Sequence, residues 1–509
     1  MKTWGNLLAA LILTGAISVA GAGTIYVPDN YGTIQAAINA AADGVDEVVV
    51  RDDTYTGVGN KNLDFNGKAI TVRSENGPTA CIIDCQKSGR GFDFHTHETA
   101  SSILDGFTIR NGSVTDGGGG IRCYVLSHPT IRNCVVTECS SVNHAGGINV
   151  YGYCNPTISN CTISGNSAGT VGGGIYCDSN VAAIITDCII SGNDSYSWGG
   201  GIACQASNIT VRGCTITGNV GNRGGGIDIA ECDPTIEYCT FSGNTAGGTW
   251  ANGGAIHCYG QETNATIRDC TVVGNTANNR GGALCTKFKS ETTITNCTFS
   301  GNSAREEQYY GGGAMYVSEG STVTVRNCIL WGDTGEGHEC GVYTSALTID
   351  YSDVEGGQAD IVVEYDGTLT WGSGNIDVDP RFVSAGSDYH LTPASPCIDT
   401  GDPAFVPALG ETDIDGETRV WDGDGDAAAV VDMGSDEYTG YALADLNCDG
   451  LVNFFDIDPF VAALLATAPG YDEYYAEYPD CDRALADCND DELVNFFDID
   501  PFVDLLLGA

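Results

Sequence analysis

The chain has 509 residues, including 70 glycines and 23 cysteines, and its 67 acidic against 21 basic side chains give a formal charge of −46. Such a surface repels polyanions, which excludes nucleic acid as a partner and allows an anionic polysaccharide only where calcium bridges the two. The length exceeds what a single compact core fills, so several domains or a repeat architecture are expected.

Residues 1–22 read as an export signal: Lys2, an apolar run from Leu7 to Ala20, then Ala20-Gly21-Ala22 as a small-residue cleavage site. No later segment is apolar enough to cross a bilayer, so a secreted, extracellular or cell-surface protein without a transmembrane segment is expected, in an oxidising exterior that contains calcium. From Thr33 to Ala42 the apolar residues Ile34, Ala37, Ile38 and Ala41 have helical spacing, which predicts a helix plugging the first coil of a repeat domain. Residues 23–110 supply that cap and the first strands, among them "DEVVVRDDTY" and "ILDGFTIRNG".

Beyond them the cysteines mark a period: Cys134, Cys161, Cys188, Cys214, Cys239, Cys270, Cys297 and Cys328 are 27, 27, 26, 25, 31, 27 and 31 residues apart. Periods of this size indicate a solenoid. One unit reads "PTISNCTISGNSAGTVGGGIYC", Pro156 to Cys177, in which Ile158 and Cys161 are three apart but Cys161 and Ile163 two apart. A straight strand keeps period two, so one residue sits at a bend. That residue is Asn133, Asn160, Asp187, Gly213, Tyr238, Asp269, Asn296 or Asn327, types that except for Tyr238 enter the left-handed region cheaply. About 27 residues per circuit then describe a coil of parallel β-helix with three short sheets; a leucine-rich repeat is disfavoured because its leucines and helical half-repeat are missing.

Stacked coils turn each recurring position into a column. Ile121, Ile148, Ile175, Ile202, Ile227, Ile256 and Leu284 form one inside, beside Cys123, Cys177, Cys204 and Cys258; Asn166, Asn193, Asn219, Asn244, Asn275 and Asn302 form another at a turn, bonding one another and the backbone. Glycine clusters such as Gly172 to Gly174 permit a tight corner. The column thiols are expected to stay mostly reduced as small buried hydrophobes, with Cys81–Cys85 and Cys481–Cys488 as candidate bridges outside the columns. In the Gly-Gly-x-Ile-x-Cys strand the residue between Ile and Cys should point outward. It is Arg122, Asn149, Tyr176, Ala203, Asp228, His257, Cys285 and Tyr316 in turn; the row, represented by Arg122, Asn149, Tyr176, Asp228, His257 and Tyr316, is a candidate glycan-binding face. From 331 to 440 the period blurs into "GSDYHLTPASPCIDTGDP" and "VVDMGSDEY", expected to be terminal coils and a closing cap.

The repeat resembles the pectate-lyase-type right-handed β-helix superfamily over residues 24 to about 440. The pairings "GGAI" at Gly253 to Ile256 and "FSGN" at Phe241 to Asn244 and Phe299 to Asn302 are similar to repeats of polymorphic outer-membrane adhesins. The scaffold hosts lyases, hydrolases, esterases and adhesins, so it selects no reaction. Polygalacturonase-like Asp pairs are missing. The resemblance to calcium-assisted lyases implies a basic residue that abstracts the proton α to a uronate carboxyl; Lys287, Lys289 and Arg268 are candidate bases, with Asp228 and Asp269 as candidate ligands, none within a recognisable motif.

Residues 441–509 differ: Leu451 to Val461 and Leu493 to Val503 share the run "LVNFFDIDPFV", each after an acidic loop. Asp445, Asn447, Asp449, Leu451 (through its carbonyl), Asn453 and Asp456 match positions 1, 3, 5, 7, 9 and 12 of an EF-hand-like loop, with Gly450 at the turn. Asp487, Asn489, Asp491, Leu493, Asn495 and Asp498 repeat the scheme with Glu492 at the turn. Asp458-Pro459 and Asp500-Pro501 read as N-cap and first helical residue. A duplicated calcium loop followed by a helix resembles a type I dockerin, which implies calcium as the bound ion and a cohesin-like or other surface receptor as partner. Phe454-Phe455 and Phe496-Phe497 depart from that family's small polar recognition residues.

The expectation is therefore an all-β right-handed parallel β-helix, residues 23–440, with a small α-helical dockerin-like calcium-binding domain at 441–509. Two functions compete: a display protein that binds a polysaccharide or cell-surface glycan and is tethered by the calcium module, or a polysaccharide lyase or glycoside hydrolase carried by the same tether.

Overall fold

The computed structural model describes residues 23–248, 251–305, 311–335, 338–408, 410–423 and 428–438, and in the tail 446, 452, 454–465, 486, 488, 494 and 499–507. The expected export signal at 1–22 lies outside the described residues.

The chain winds into a parallel β-solenoid whose strands stack into sheets of fourteen, twelve, eleven and nine strands. In one coil, Thr157–Ser159, Thr162–Ser164, Ser167–Ala168 and Ile175–Asp178 belong to four different sheets. The expected three sheets are thus four. The extra one is built of two-residue strands such as Ser140–Ser141, Ser167–Ala168 and Asp194–Ser195, too short to show a hydrophobic alternation.

Each bend residue from Asn133 to Asn327 has φ between 51° and 61°, Tyr238 included at 54°. The cost of a bulky side chain there is offset by two cation–π contacts, with the Arg212 and Arg268 guanidinium carbons 4.2 and 5.5 Å from the Tyr238 ring centre. The isoleucine column is in register, Ile121↔Ile148↔Ile175↔Ile202↔Ile227↔Ile256↔Leu284, and fully buried. The asparagine column is buried as well; Asn193 Nδ2, for example, donates to Ile163 O (2.8 Å) and Asn219 Oδ1 (3.0 Å). It ends on Asp333, whose Oδ1 accepts from Asn302 N–H and Nδ2 (2.5 and 2.7 Å).

All 21 described cysteines are free thiols, and all but Cys488 are buried. Cys81 and Cys85 form no bridge: both lie in the core, where each fills the space of a small hydrophobe. Cys481 lies outside the described residues. The expected plug is the helix Ile34–Ala40, N-capped by Thr33, with Ile34, Ala37 and Ile38 buried. Lys68 Nζ closes its far end by donating to the carbonyls of Ile38, Asn39 and Ala41 (2.8 Å each).

The segment after the last coils does not cap the solenoid's end; it runs back along the outside of the twelve-stranded sheet. Ser435 bonds to Thr298 and Thr271, Gly434 N–H donates to Asn327 O, and Thr412 N–H reaches Tyr238 Oη. The outward Thr and Asn side chains of this sheet provide the hydrogen-bond partners a docked segment needs. In the tail, helices Ile457–Leu465 and Ile499–Leu507 pack through Phe460 and Phe502, whose rings stack at 3.9 Å. Each begins before its Asp-Pro pair, so Asp458 sits in the first turn instead of at the cap.

Candidate functional site

The outward row is a column in register, Arg122↔Asn149↔Tyr176↔Ala203↔Asp228↔His257↔Cys285↔Tyr316. It is not an open face. The loop before each strand folds back over it, and Val171, Trp198, Arg223, Asn252 and Arg280 bridge from coil to coil as a second column. Glycine makes this reversal possible: at Gly253 φ is 66°, and a Cβ would lie 2.1 Å from Ile256 O.

Most of the row is consumed by local contacts. Arg122 is clamped by Asp93 (2.7 and 2.8 Å) and Asp116 (2.6 Å). The Tyr176 hydroxyl donates to Asp178 Oδ2 (3.0 Å) or Gln205 Oε1 (3.1 Å), and its ring packs among Ala145, Val171 and Ala203. Asn149 is 6% exposed, and Tyr316 is buried under Arg280, which donates to its hydroxyl (3.0 Å). Burial pushes the Cys285 thiol up to about 12, so it is no nucleophile at neutral pH.

Asp228 and His257 differ from these. On adjacent coils, His257 Nδ1–H donates to Asp228 Oδ1 at 2.7 Å, both side chains being at most 5% exposed. The carboxylate accepts only, so it fixes the ring as the Nδ1–H tautomer and leaves the lone pair on Nε2. Nε2 is buried and has no hydrogen-bond partner among the described residues. His257 lines a cleft of about 220 Å³ together with Arg223, Asn252, Tyr259, Lys287 and Glu319.

Two cations share this cleft. The Arg223 guanidinium carbon lies 5.1 and 5.6 Å from the ring centres of Trp198 and Tyr259, and it makes no ion pair among the described residues. Lys287 Nζ pairs with Glu319 at 3.1 Å and is 16% exposed. Tyr259 stacks on His257 and Phe288, making one wall aromatic. An imidazole held by a carboxylate, with a free lone pair beside two cations, can remove a proton from a bound anionic substrate.

Of the other sequence candidates, Lys287 alone joins the cleft. Lys289 is exposed, whereas Arg268 is taken up by Glu237, Asp269 (3.2 Å) and Glu411 (3.0 Å). Asp269 is buried beside Arg419 and Asn296, and burial raises its carboxyl to about 7. Both therefore brace the docked C-terminal segment. Arg223 and Asn252 were not singled out by the sequence; both occupy the position just before the recurring glycines, where the spacing between coils varies. Among the twelve candidate calcium ligands, Asp456 alone falls within the described residues; it is buried and its Oδ1 accepts from Leu446 N–H (2.9 Å). The other eleven, Asp445, Asn447, Asp449, Leu451, Asn453, Asp487, Asn489, Asp491, Leu493, Asn495 and Asp498, lie outside them.

No curated protein matches the chain. Two solved structures are similar to it: pectate lyase Pel9A, at 14% identity and TM-score 0.42, covering 82% of this chain and 97% of its own, and a mannuronic acid specific polysaccharide family 6 lyase from human gut microbiota, at 12% and 0.29, covering 66% and 86%. The family model described as "right handed beta helix region" matches residues 43–221, 141–278 and 274–380, which together span 43–380. The chain belongs to the right-handed β-helix family.

Proposed function

We propose that this β-helix acts on an acidic glycan in the His257 cleft, by proton abstraction. The observation that carries the reading is the buried Nε2 of His257, without a hydrogen-bond partner among the described residues, beside Arg223, which makes no ion pair among them. A uronate carboxylate seated against Arg223 and Lys287 has its α-proton acidified; His257 Nε2 takes that proton, a C=C bond forms, and the glycosidic C–O bond at the β carbon breaks. The departing oxygen takes a proton from solvent or from the Lys287 ammonium. Asp228 holds the tautomer and stabilises the imidazolium. Of the two functions weighed from sequence this favours the enzyme, because most of the row offered for passive display is tied up in local contacts.

The test incubates the protein with uronate-containing and neutral polysaccharides and follows the ultraviolet absorbance of unsaturated product together with new reducing ends. Unsaturated product that disappears in His257→Gln, while glycan binding persists, supports the reading. Binding without cleavage of every polymer by the wild type returns the molecule to display. Secretion, and delivery by a calcium-dependent dockerin-like tail, complete the proposal. Supporting the tail's role are the duplicated loop-helix sequence and the exposure of Phe454 and Phe455 (73% and 77%), apolar surface fit for a cohesin-like or other receptor. Calcium would be held by the two acidic loops and would stabilise a core of few residues. Chelator should then open residues 441–509 to protease while the solenoid survives; equal protection with and without calcium counts against it.

A further inference from the structure

A second site lies outside the cleft, on the C-terminal segment. Here one donor atom each from His390, Asp415 and Asp436 lies within 4.8 Å of the others. The three come from separate pieces of chain, the strand Asp388–Leu391 and two later turns. His390 Nδ1 is bonded to Asp388, and Nε2 lies 2.6 Å from Asp415 Oδ2. Asp436 is 6% exposed, and among the described residues its carboxylate accepts one hydrogen bond, from Leu391 N–H (2.8 Å).

Charge is unbalanced around it. Residues 382–438 carry thirteen Asp and Glu against a single Arg419, and that arginine is fully buried toward Asp269 (3.5 Å) and Glu437 (3.8 Å). Asp413 is no reserve ligand, because its oxygens are taken by the backbone N–H groups of Asp415, Glu417 and Glu437 (3.0, 2.8 and 3.1 Å). A proton on His390 does not resolve the imbalance. The imidazolium has two N–H donors, and Asp388 and Asp415 use both, so Asp436 receives no hydrogen bond from it.

We propose that His390, Asp415 and Asp436 bind a divalent transition-metal cation of the zinc class, which staples the C-terminal segment to the solenoid. A central cation satisfies all three donors at once. An imidazole nitrogen in the set favours zinc over calcium or magnesium, and three protein ligands leave a position for water. His390 and Asp415, 48% and 46% exposed, leave that position open to solvent. Asp388 behind the ring is the carboxylate that orients a metal-binding histidine. The staple has something to hold: Ser435, next to Asp436, is the residue bonded to Thr298 and Thr271 on the sheet.

The experiment uses the full chain, stripped with chelator and then kept in excess calcium so that the tail loops are saturated. Zinc chloride is titrated calorimetrically into wild type, His390→Gln and Asp415→Asn; both altered side chains are half-exposed, and far-ultraviolet dichroism verifies the fold. The wild type should bind one zinc more than either variant and show a zinc-dependent rise in melting temperature that both lack. Asp388→Asn should bind that zinc at least about tenfold more weakly. The same zinc stoichiometry and melting shift in wild type and both variants overturns the site, and does so whatever becomes of the His257 cleft.

Discussion

Replacing Asn244 by alanine tests the column that holds the coils in register. Its carboxamide makes four hydrogen bonds: Oδ1 accepts from Asn219 N–H and Asn219 Nδ2 (3.0 Å each), and Nδ2 donates to Ile216 O (2.8 Å) and Asn275 Oδ1 (2.9 Å). Some of these neighbours keep another partner. Asn219 Nδ2 retains Ile190 O, and Asn275 Oδ1 retains Asn244 N–H. The Asn219 N–H loses its partner in a fully buried place, at about 1–3 kcal/mol, whereas the Ile216 carbonyl stays in the parallel ladder with Thr240–Ser242 and loses only a second donor. With the small cavity added, Asn244→Ala should destabilise by about 2–4 kcal/mol. Because solenoid stability is carried by neighbouring repeats, the loss should be local first. The assay is urea denaturation together with amide hydrogen exchange, in which the Asn219 N–H should lose most protection. Asn278→Ala, which removes one exposed bond to Gly247 O, is the control and should cost under about 0.5 kcal/mol. If the two variants unfold at the same urea concentration, the column is ornament and the reasoning fails.

The solenoid should grow less stable as pH rises. Burial together with the neighbouring Asp333 charge pushes Glu339 up to about 11, and burial pushes Asp333 to about 7. Folding therefore takes up protons: this contribution is complete below the ordinary carboxylate range and is lost as pH climbs through those raised values. Melting temperatures from pH 5 to 9 should fall, and the Asp333→Asn, Glu339→Gln double variant should flatten the slope; an unchanged slope would remove these two groups as its cause. A thiol reagent should find few reactive cysteines in the native protein and at least 21 after denaturation without reductant; a shortfall would mean disulfides. Gly253→Ala, forced to φ 66° with Ile256 O in the way, should cost about 2–4 kcal/mol and deform the His257 cleft. Retained melting temperature and activity would contradict the folded-back loop.

Much of the architecture was legible because a stacked fold repeats its constraints. The bend residues, the isoleucine and asparagine columns and the Thr33-capped helix each announce themselves in spacing or residue type, since every coil must solve the same packing and hydrogen-bonding problem. The two-residue strands of the fourth sheet carry no such signal, being shorter than one hydrophobic alternation. The same holds for the docking of residues 389–438 along the solenoid's side. Its contacts, such as Ser435 with Thr298, join positions 137 residues apart through ordinary polar side chains.

Sequence alone determined that the chain coils, where it bends, which side chains face inward, and that Asp228 and His257 are neighbours one coil apart. Period and residue type suffice for these because stacking converts sequence distance into spatial adjacency. Tertiary structure alone decided which outward residues meet solvent. The loops ending in Arg223 and Asn252 fold over the row, bury most of it, and leave the His257 imidazole facing a small cationic cleft. That outcome depends on how loops of unequal length cross a sheet face, and no periodicity records it.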